Sequence, residues 1–258
     1  MIFNLFSIKS TMQTHSVHKL FQQRMAQVTK PFKARGADVA RCPQCRINQQ
    51  FCMCPLRPEP LDTQAGFLLL YYDDEVLKPS NTGKLIADLC LDTYAYIWQR
   101  TGVEPSVIEL LNDPNWYPIV VFPDEYADKG RGQVTSGQDI PEGYRPLFVM
   151  LDGSWREAKK MFRKSPYLDR FPVFSMTPEQ TSVYQVRKAA REYQLATAEV
   201  ASGALAMLGE TQQADIMHCW FEVFSYQYQK GVMRPNSGNP DALNRLTKLI
   251  ATHDSGFL

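Results

Sequence analysis

With 258 residues, 44% of them hydrophobic and 21% charged, the chain is long enough to bury about three quarters of its unfolded surface, as one large domain with a small appendage. Its 28 Lys and Arg nearly cancel 27 Asp and Glu, which excludes a generally basic protein and leaves only local patches. No apolar run reaches membrane-spanning length, and MIFNLFSIKS lacks the basic lead and small-residue cleavage site of a secretory signal, so a cytoplasmic protein outside the membrane is expected.

Residues 1–40 read as a loosely attached extension. Residues 1–46 carry eight basic side chains against one acid, Asp38, a patch that suits either a phosphate backbone or a solvated surface. Cys42, Cys45, Cys52 and Cys54 then form a C-x2-C-x6-C-x-C arrangement. In a reducing compartment four clustered thiols point to a tetrahedral structural zinc, with no coordination position left for catalysis. A redox C-x-x-C is the alternative, but it leaves the second pair unexplained. Cys90 and Cys219 sit in apolar helical contexts and read as core.

Past a Pro-rich connector, Gly66–Tyr72 reads as a strand buried on both faces. The polar loop Pro79–Gly83 leads into a helix carrying Leu85, Ile86, Leu89 and Cys90. Ser80, Asn81 and Thr82 in that loop suit contacts to a small polar ligand, although Asn81 fits a plain helix cap equally well. The spacing is not that of a P-loop. Strands are expected at Tyr94–Trp98 and Pro118–Phe122, with a helix at Ser106–Leu111 between them. A long polar loop with Gly130, Gly132, Gly137 and Gly143 follows Pro123, and loops of that length are more often functional than idle.

Leu147–Leu151 is a further buried strand, and Trp155, Ala158, Met161 and Phe162 recur at helical spacing after it. The turn Asp152-Gly153-Ser154-Trp155 therefore lies at a strand's carboxyl end, where ligands bind in open α/β sheets. Ser154 and Glu157 also match a capping box, so capping competes with chemistry there. Six basic residues between 156 and 170, among them Lys159, Lys160, Arg163 and Lys164, form a second candidate polyanion surface. Phe171–Ser175 reads as a strand and Thr181–Arg191 as a polar, basic segment. Helices follow around Ala198–Leu208, Ile216–Tyr228 and Pro240–Thr252, with Thr197 and Glu199 at the start of the first. Acid at that end also has a purely structural reading through the helix dipole.

The four histidines, His15, His18, His218 and His253, lie far in sequence from every candidate loop, which gives histidine-based general-base, triad and catalytic metal schemes little support. What remains is a parallel α/β sheet with helices on both faces, whose loops offer Asn, Thr, Ser, Asp and Arg.

Together these segments resemble the DTW-domain family of tRNA-uridine aminocarboxypropyltransferases, the bacterial members acting on a variable-loop uridine in particular. The resemblance rests on the four-cysteine knuckle, KPSNTGKLIADL at 78–89, VVFPDEYAD at 120–128, LDGSWREAKKMFRKSPYLD at 151–169 and TAEV at 197–200. It runs from about Arg41 to about Tyr228. Ser154 stands where the family usually has Thr, and Tyr72-Asp73-Asp74-Glu75 departs from a His-containing form.

The resemblance implies a SPOUT-like fold that can carry a C-terminal trefoil knot. It also implies S-adenosylmethionine as co-substrate and attack of uridine N3 on the donor's γ-carbon, giving 3-(3-amino-3-carboxypropyl)uridine and methylthioadenosine. Asp152 is the candidate base, beside Ser154 and Trp155 as reacting-site residues. Trp155 either stacks on a base or packs beneath the turn. Ser80, Asn81, Thr82, Pro123, Asp152, Arg187, Thr197 and Glu199 are candidate donor contacts, with Arg187 equally placed to meet a tRNA phosphate. Lys159, Lys160, Arg163 and Lys164 with the knuckle are candidate tRNA contacts. Residues 41–60 form the expected knuckle, 61–230 the catalytic domain and 231–258 a C-terminal helix and tail, in a monomer. RNA methylation from the same donor and noncatalytic RNA binding by a zinc module remain open alternatives.

Overall fold

The structure, a computed structural model, describes residues 14–28, 39–176, 195–232 and 235–254. Its centre is a five-stranded parallel sheet: β1 (Gly66–Tyr71), β2 (Thr93–Ile97), β3 (Trp116–Val121), β4 (Arg145–Asp152) and β5 (Val173–Phe174). The strand order is β2-β1-β4-β3-β5. Alternate side chains explain why the strand sequences look uniformly apolar. Phe67, Leu69 and Tyr71 of β1 join Phe148, Met150 and Phe174 in one core, while Leu68 and Leu70 join Leu147, Val149 and Val173 in another. A strand covered on both faces has no polar side to show.

The first face is covered by α1 (Ser16–Gln27), α2 (Gly83–Leu89), α5 (Thr197–Met207), α6 (Thr211–Lys230) and α7 (Ala242–Asp254). The second carries α3 (Pro105–Asn112) and α4 (Trp155–Arg163), through Val107, Leu111, Ala158, Met161 and Phe162. Helices thus lie on both faces, as expected from the alternating pattern. No helix among the described residues is long and apolar enough to cross a membrane.

Observed strand ends differ from those expected by only one or two residues, and β5 keeps two residues, paired with Val120 and Val121 of β3 and bridged at Val173 to Gln133. Within the N-terminal forty residues, α1 is a regular helix. Val17, His18 and Leu20 are buried, and Ser16 Oγ donates to Thr93 O at 2.5 Å. This part belongs to the core, contrary to a loosely attached extension. The polar loop after Pro123 is also partly tied down. Val134 is buried and its amide donates to Val173 O at 2.9 Å, while Arg131 donates to Phe171 O and Leu168 O at 2.8 and 2.6 Å. The expected polar, basic segment Thr181–Arg191 lies outside the described residues.

Candidate active site

The order of the strands creates the site. β1 and β4 are neighbours, yet the chain leaves β1 through α2 on one face and β4 through α4 on the other. In open α/β sheets the carboxyl ends of strands that diverge in this way are the usual ligand position. Tyr71 and Asp152, the last residues of the two strands, are register partners there, and the Tyr72 amide donates to Asp152 O at 2.9 Å.

Asp152 is 4% exposed. Asn81 Nδ2 donates to its Oδ1 at 2.9 Å and Thr197 Oγ1 donates to its Oδ2 at 2.9 Å. Asn81 Oδ1 in turn accepts from the Gly83 amide at 3.0 Å, and Thr82 Oγ1 accepts from the Ala198 amide at 3.3 Å. Two polar segments from distant parts of the sequence therefore close on one carboxylate. Burial, reinforced by the nearby Glu75 charge, pushes the Asp152 carboxyl up to about 7, against the hydrogen bonds from Thr197 and Asn81 and the Lys78 charge. A carboxyl poised near neutrality can accept a proton at working pH.

Gly83 is required by the crowding. A Cβ there would lie 2.1 Å from Tyr71 Oη and 3.1 Å from Asp152 Oδ2. The Tyr71 hydroxyl is fully buried and has no hydrogen-bond partner among the described residues, and burial followed by the Asp152 charge raises its pKa. Lys84, 1% exposed, donates to Pro79 O at 2.9 Å and Asn81 O at 2.7 Å.

Ser154 lies two residues from Asp152 and bonds Glu157. It is exposed, and its amide and hydroxyl both donate to Glu157 Oε2, at 2.8 and 2.6 Å. Partial burial raises the Glu157 pKa, but Ser154's two donors outweigh it and hold the carboxyl below its usual value. The helix start is thus reinforced as a capping box would do it. Glu199 likewise accepts from the Ala196 amide at 2.8 Å, at the start of α5. Ser80 is exposed on the Asn81 loop.

Trp155 turns to the second face. It stacks on Phe122 at 5.4 Å, and Phe122 stacks on Phe162 at 4.3 Å. Pro123 follows Phe122 on that side, one strand away from Asp152. Lys159 Nζ sits 5.0 Å from the Tyr126 ring centroid and 5.4 Å from that of Trp155. Lys160 Nζ donates to Tyr72 Oη at 2.8 Å, and the Tyr72 ring stacks on Trp98. Arg163 and Lys164 are exposed at the end of α4. Arg187 lies outside the described residues.

Cys42, Cys45, Cys52 and Cys54 bring their sulfurs within 4.8 Å of one another. Cys42 and Cys54 are 3.6 Å apart and Cys45 and Cys52 3.8 Å, too far for disulfides and close to the ~3.8 Å edge of a tetrahedron with zinc-to-sulfur bonds of about 2.3 Å. The donor set therefore fits a closed tetrahedral ion. The Cys54 thiol holds the Cys45 pKa down to about 5 against burial, and Cys54 is raised correspondingly.

The knuckle is docked on the first face. Arg57 pairs with Asp88 at 2.9 Å, Trp220 Nε1 donates to Asp88 Oδ2 at 3.2 Å, and His18 Nε2 bonds Gln44 O at 3.1 Å. Arg46, in the left-handed region at φ 61°, turns inward and is 4% exposed. It donates to Val76 O, and its guanidinium lies 4.8 Å over the Phe21 ring.

The DTW domain model matches residues 39–229. The chain belongs to the DTW domain family. It is also 23% identical, over 180 residues, to tRNA-uridine aminocarboxypropyltransferase 2 of Drosophila melanogaster. That alignment covers 65% of this chain and 66% of the relative, so the DTW chain spans just under two thirds of the relative's length. No solved structure matches. The family match takes in both the knuckle and the Asp152 site.

Sequence reasoning had found Asn81, Thr82, Asp152 and Thr197, which the fold brings together, but it missed Tyr71 and Lys84. The signal for Tyr71 was a polar end on an otherwise apolar strand. For Lys84 it was a lone cation in GKLIADL, whose positions are nearly all buried.

Proposed function

We propose that this chain transfers the 3-amino-3-carboxypropyl group of S-adenosylmethionine to N3 of a tRNA uridine. The bond formed is uridine N3 to the donor γ-carbon, the bond broken is γ-carbon to sulfonium sulfur, methylthioadenosine departs, and the N3 proton passes to a base. Asp152 carries the reading. It is a buried carboxyl with a pKa near neutrality, at the adjoining carboxyl ends of β1 and β4, in a DTW domain. The Drosophila relative, named as a tRNA-uridine aminocarboxypropyltransferase, supports the same reaction class.

In this reading Asp152 takes the N3 proton, while Asn81 and Thr197 orient its two oxygens and stabilise the charge it holds beforehand. Ser80, Thr82, Pro123, Glu199 and Arg187 remain the proposed donor contacts, and Ser154 holds the α4 start that fixes Asp152 and Trp155. Lys159, Lys160, Arg163 and Lys164 meet the tRNA backbone, with Tyr126 and Trp155 offering ring faces beside them. Alanine at all four cations is expected to weaken tRNA binding and to flatten its salt dependence by about one unit of slope per lost phosphate contact. Zinc in the knuckle would be structural, since four thiolates leave it no open position. A SPOUT-like crossing, a cytoplasmic monomer, and a knuckle over residues 41–60 leading into a catalytic domain over residues 61–230 complete the proposal.

The test is product analysis after incubation with S-adenosylmethionine and unmodified tRNA. Methylthioadenosine with a uridine gaining the aminocarboxypropyl mass supports the assignment. S-adenosylhomocysteine with a methylated base would replace it by methylation, and no donor binding would leave an RNA-binding module.

A further inference from the structure

Lys84 has no part in the proposed chemistry, yet it occupies an unusual place. It lies in the first turn of α2, 1% exposed, in a helix where Gly83, Leu85, Ile86, Ala87 and Leu89 are also buried. A lysine is almost never so deeply buried unless its donors are used. Here they are used. Nζ donates to Pro79 O at 2.9 Å and Asn81 O at 2.7 Å, and it lies 4.3 Å over the ring of Phe224 from α6; burial lowers its pKa well below the usual lysine value, and the two carbonyls and the π face are what favour the protonated amine there.

Both carbonyls belong to the loop that presents Asn81, and the Asn81 amide is itself used at both ends. Oδ1 accepts from the Gly83 amide and Nδ2 donates to Asp152 Oδ1. The contact from ammonium to carboxylate is therefore a short chain: Lys84, the Asn81 backbone, the Asn81 side chain, Asp152. We propose that Lys84 is a positioning residue, gripping the 79–81 loop from within so that the Asn81 amide is held against the Asp152 carboxylate. Its functional meaning rests on Asp152 being the reacting carboxylate, but the clamp itself does not.

The consequence is read at Asp152. Its carboxyl is faced by Glu75 and Lys78 from the segment after β1, by Tyr71 from β1 and by Arg46 from the knuckle, and it is hydrogen-bonded by Asn81 and Thr197. The Asn81 hydrogen bond stabilises the charged carboxylate, so loosening it raises the midpoint at which Asp152 titrates. Neighbouring charges are unchanged by a lysine-to-methionine swap except for Lys84 itself, and loss of a cation would also move Asp152 upward. The double variant separates the two: a clamp acts only through Asn81, whereas a direct charge effect adds to the loss of Asn81.

The experiment is carbon-13 NMR titration of the full chain with labelled Asp, Asp152 being the resonance missing from Asp152→Asn. Asn81→Ala and Lys84→Met are each expected to raise the Asp152 midpoint by roughly half to one pH unit, and the double variant to raise it no further. A Lys84→Met midpoint equal to wild type, or shifts that sum in the double variant, overturns the clamp. General weakening of the core would lower the melting temperature without moving this one carboxyl. Should Lys84→Met fail to fold, Phe224→Leu decides, since it keeps the ammonium and removes the ring beneath it. A smaller upward shift supports the clamp and an unchanged midpoint overturns it. Transfer measured on the same variants falls in step with the titration if Asp152 reacts; shifted titration with undiminished transfer leaves the clamp standing and removes Asp152 from the chemistry.

Discussion

Four thiols drawn from one short stretch, Cys42 to Cys54, make the knuckle, whereas the Asp152 carboxylate is held by Asn81, 71 residues earlier, and Thr197, 45 residues later. The first site is local and can be ordered by its own ligand. The second exists only once β4 has inserted between β1 and β3 and α5 has docked. Damage to the knuckle should therefore appear as lost structure, while damage at the Asp152 site should appear as altered ionisation with the fold intact.

The largest effect is expected where the local site is broken. Replacing Cys42 and Cys45 by Ser should abolish zinc binding and lower the melting temperature sharply, because structural zinc sites of this kind contribute on the order of 10 kcal/mol of binding energy. The loss should extend to α1, through Gln44 to His18 and Arg46 to Phe21. Metal analysis and thermal unfolding read both outcomes. Native protein free of zinc, or unchanged stability after chelation, would rule out a structural metal at the four cysteines.

A smaller effect of opposite character is expected at the Asp152 site. The folded Asp152 carboxyl holds its proton to about pH 7, whereas the unfolded one loses it near pH ~4. The folded state thus binds more protons between those values, so stability should be greatest below the lower one and fall as the pH rises through the window. The total change is at most about 4 kcal/mol. Asp152→Asn should flatten that slope and be no less stable than wild type above pH 7, as read by chemical unfolding from pH 4 to 8. A slope unchanged by the substitution would mean that Asp152 ionises as an ordinary surface acid.

How much of this was readable beforehand follows from the same contrast. The strands were legible because burial on both faces leaves continuous runs such as GFLLLY, and the knuckle because metal-ligand spacing is written in consecutive residues. The convergence of Asn81, Asp152 and Thr197 was not, since it depends on β1 lying beside β4, an order the succession of strands does not dictate. Lys84 was missed because a lysine on a short helix ordinarily faces solvent. α1 was missed because SVHKLFQQRMAQ buries only Val17, His18 and Leu20, one of them polar.

Two weaker substitutions sharpen the picture. Thr197→Val removes one donor to Asp152 Oδ2 and should cost about 1 to 2 kcal/mol, while raising the carboxyl's titration further. Ser154→Ala, two residues from Asp152, should cost about 1 kcal/mol through the α4 cap and leave transfer within a few-fold of wild type. If Ser154→Ala lost activity as Asp152 variants do, the exposed hydroxyl would belong to the chemistry and its capping contacts would be secondary.

The most direct test is transfer of label from S-adenosylmethionine to unmodified tRNA by wild type and Asp152→Asn at neutral pH. Wild type is expected to form aminocarboxypropyl-uridine with methylthioadenosine. The variant should keep its fold and tRNA binding and lose roughly 10² to 10⁴ in rate, the range for a lost general base. Near-normal turnover by Asp152→Asn would contradict the assignment of this buried carboxyl as the reacting group.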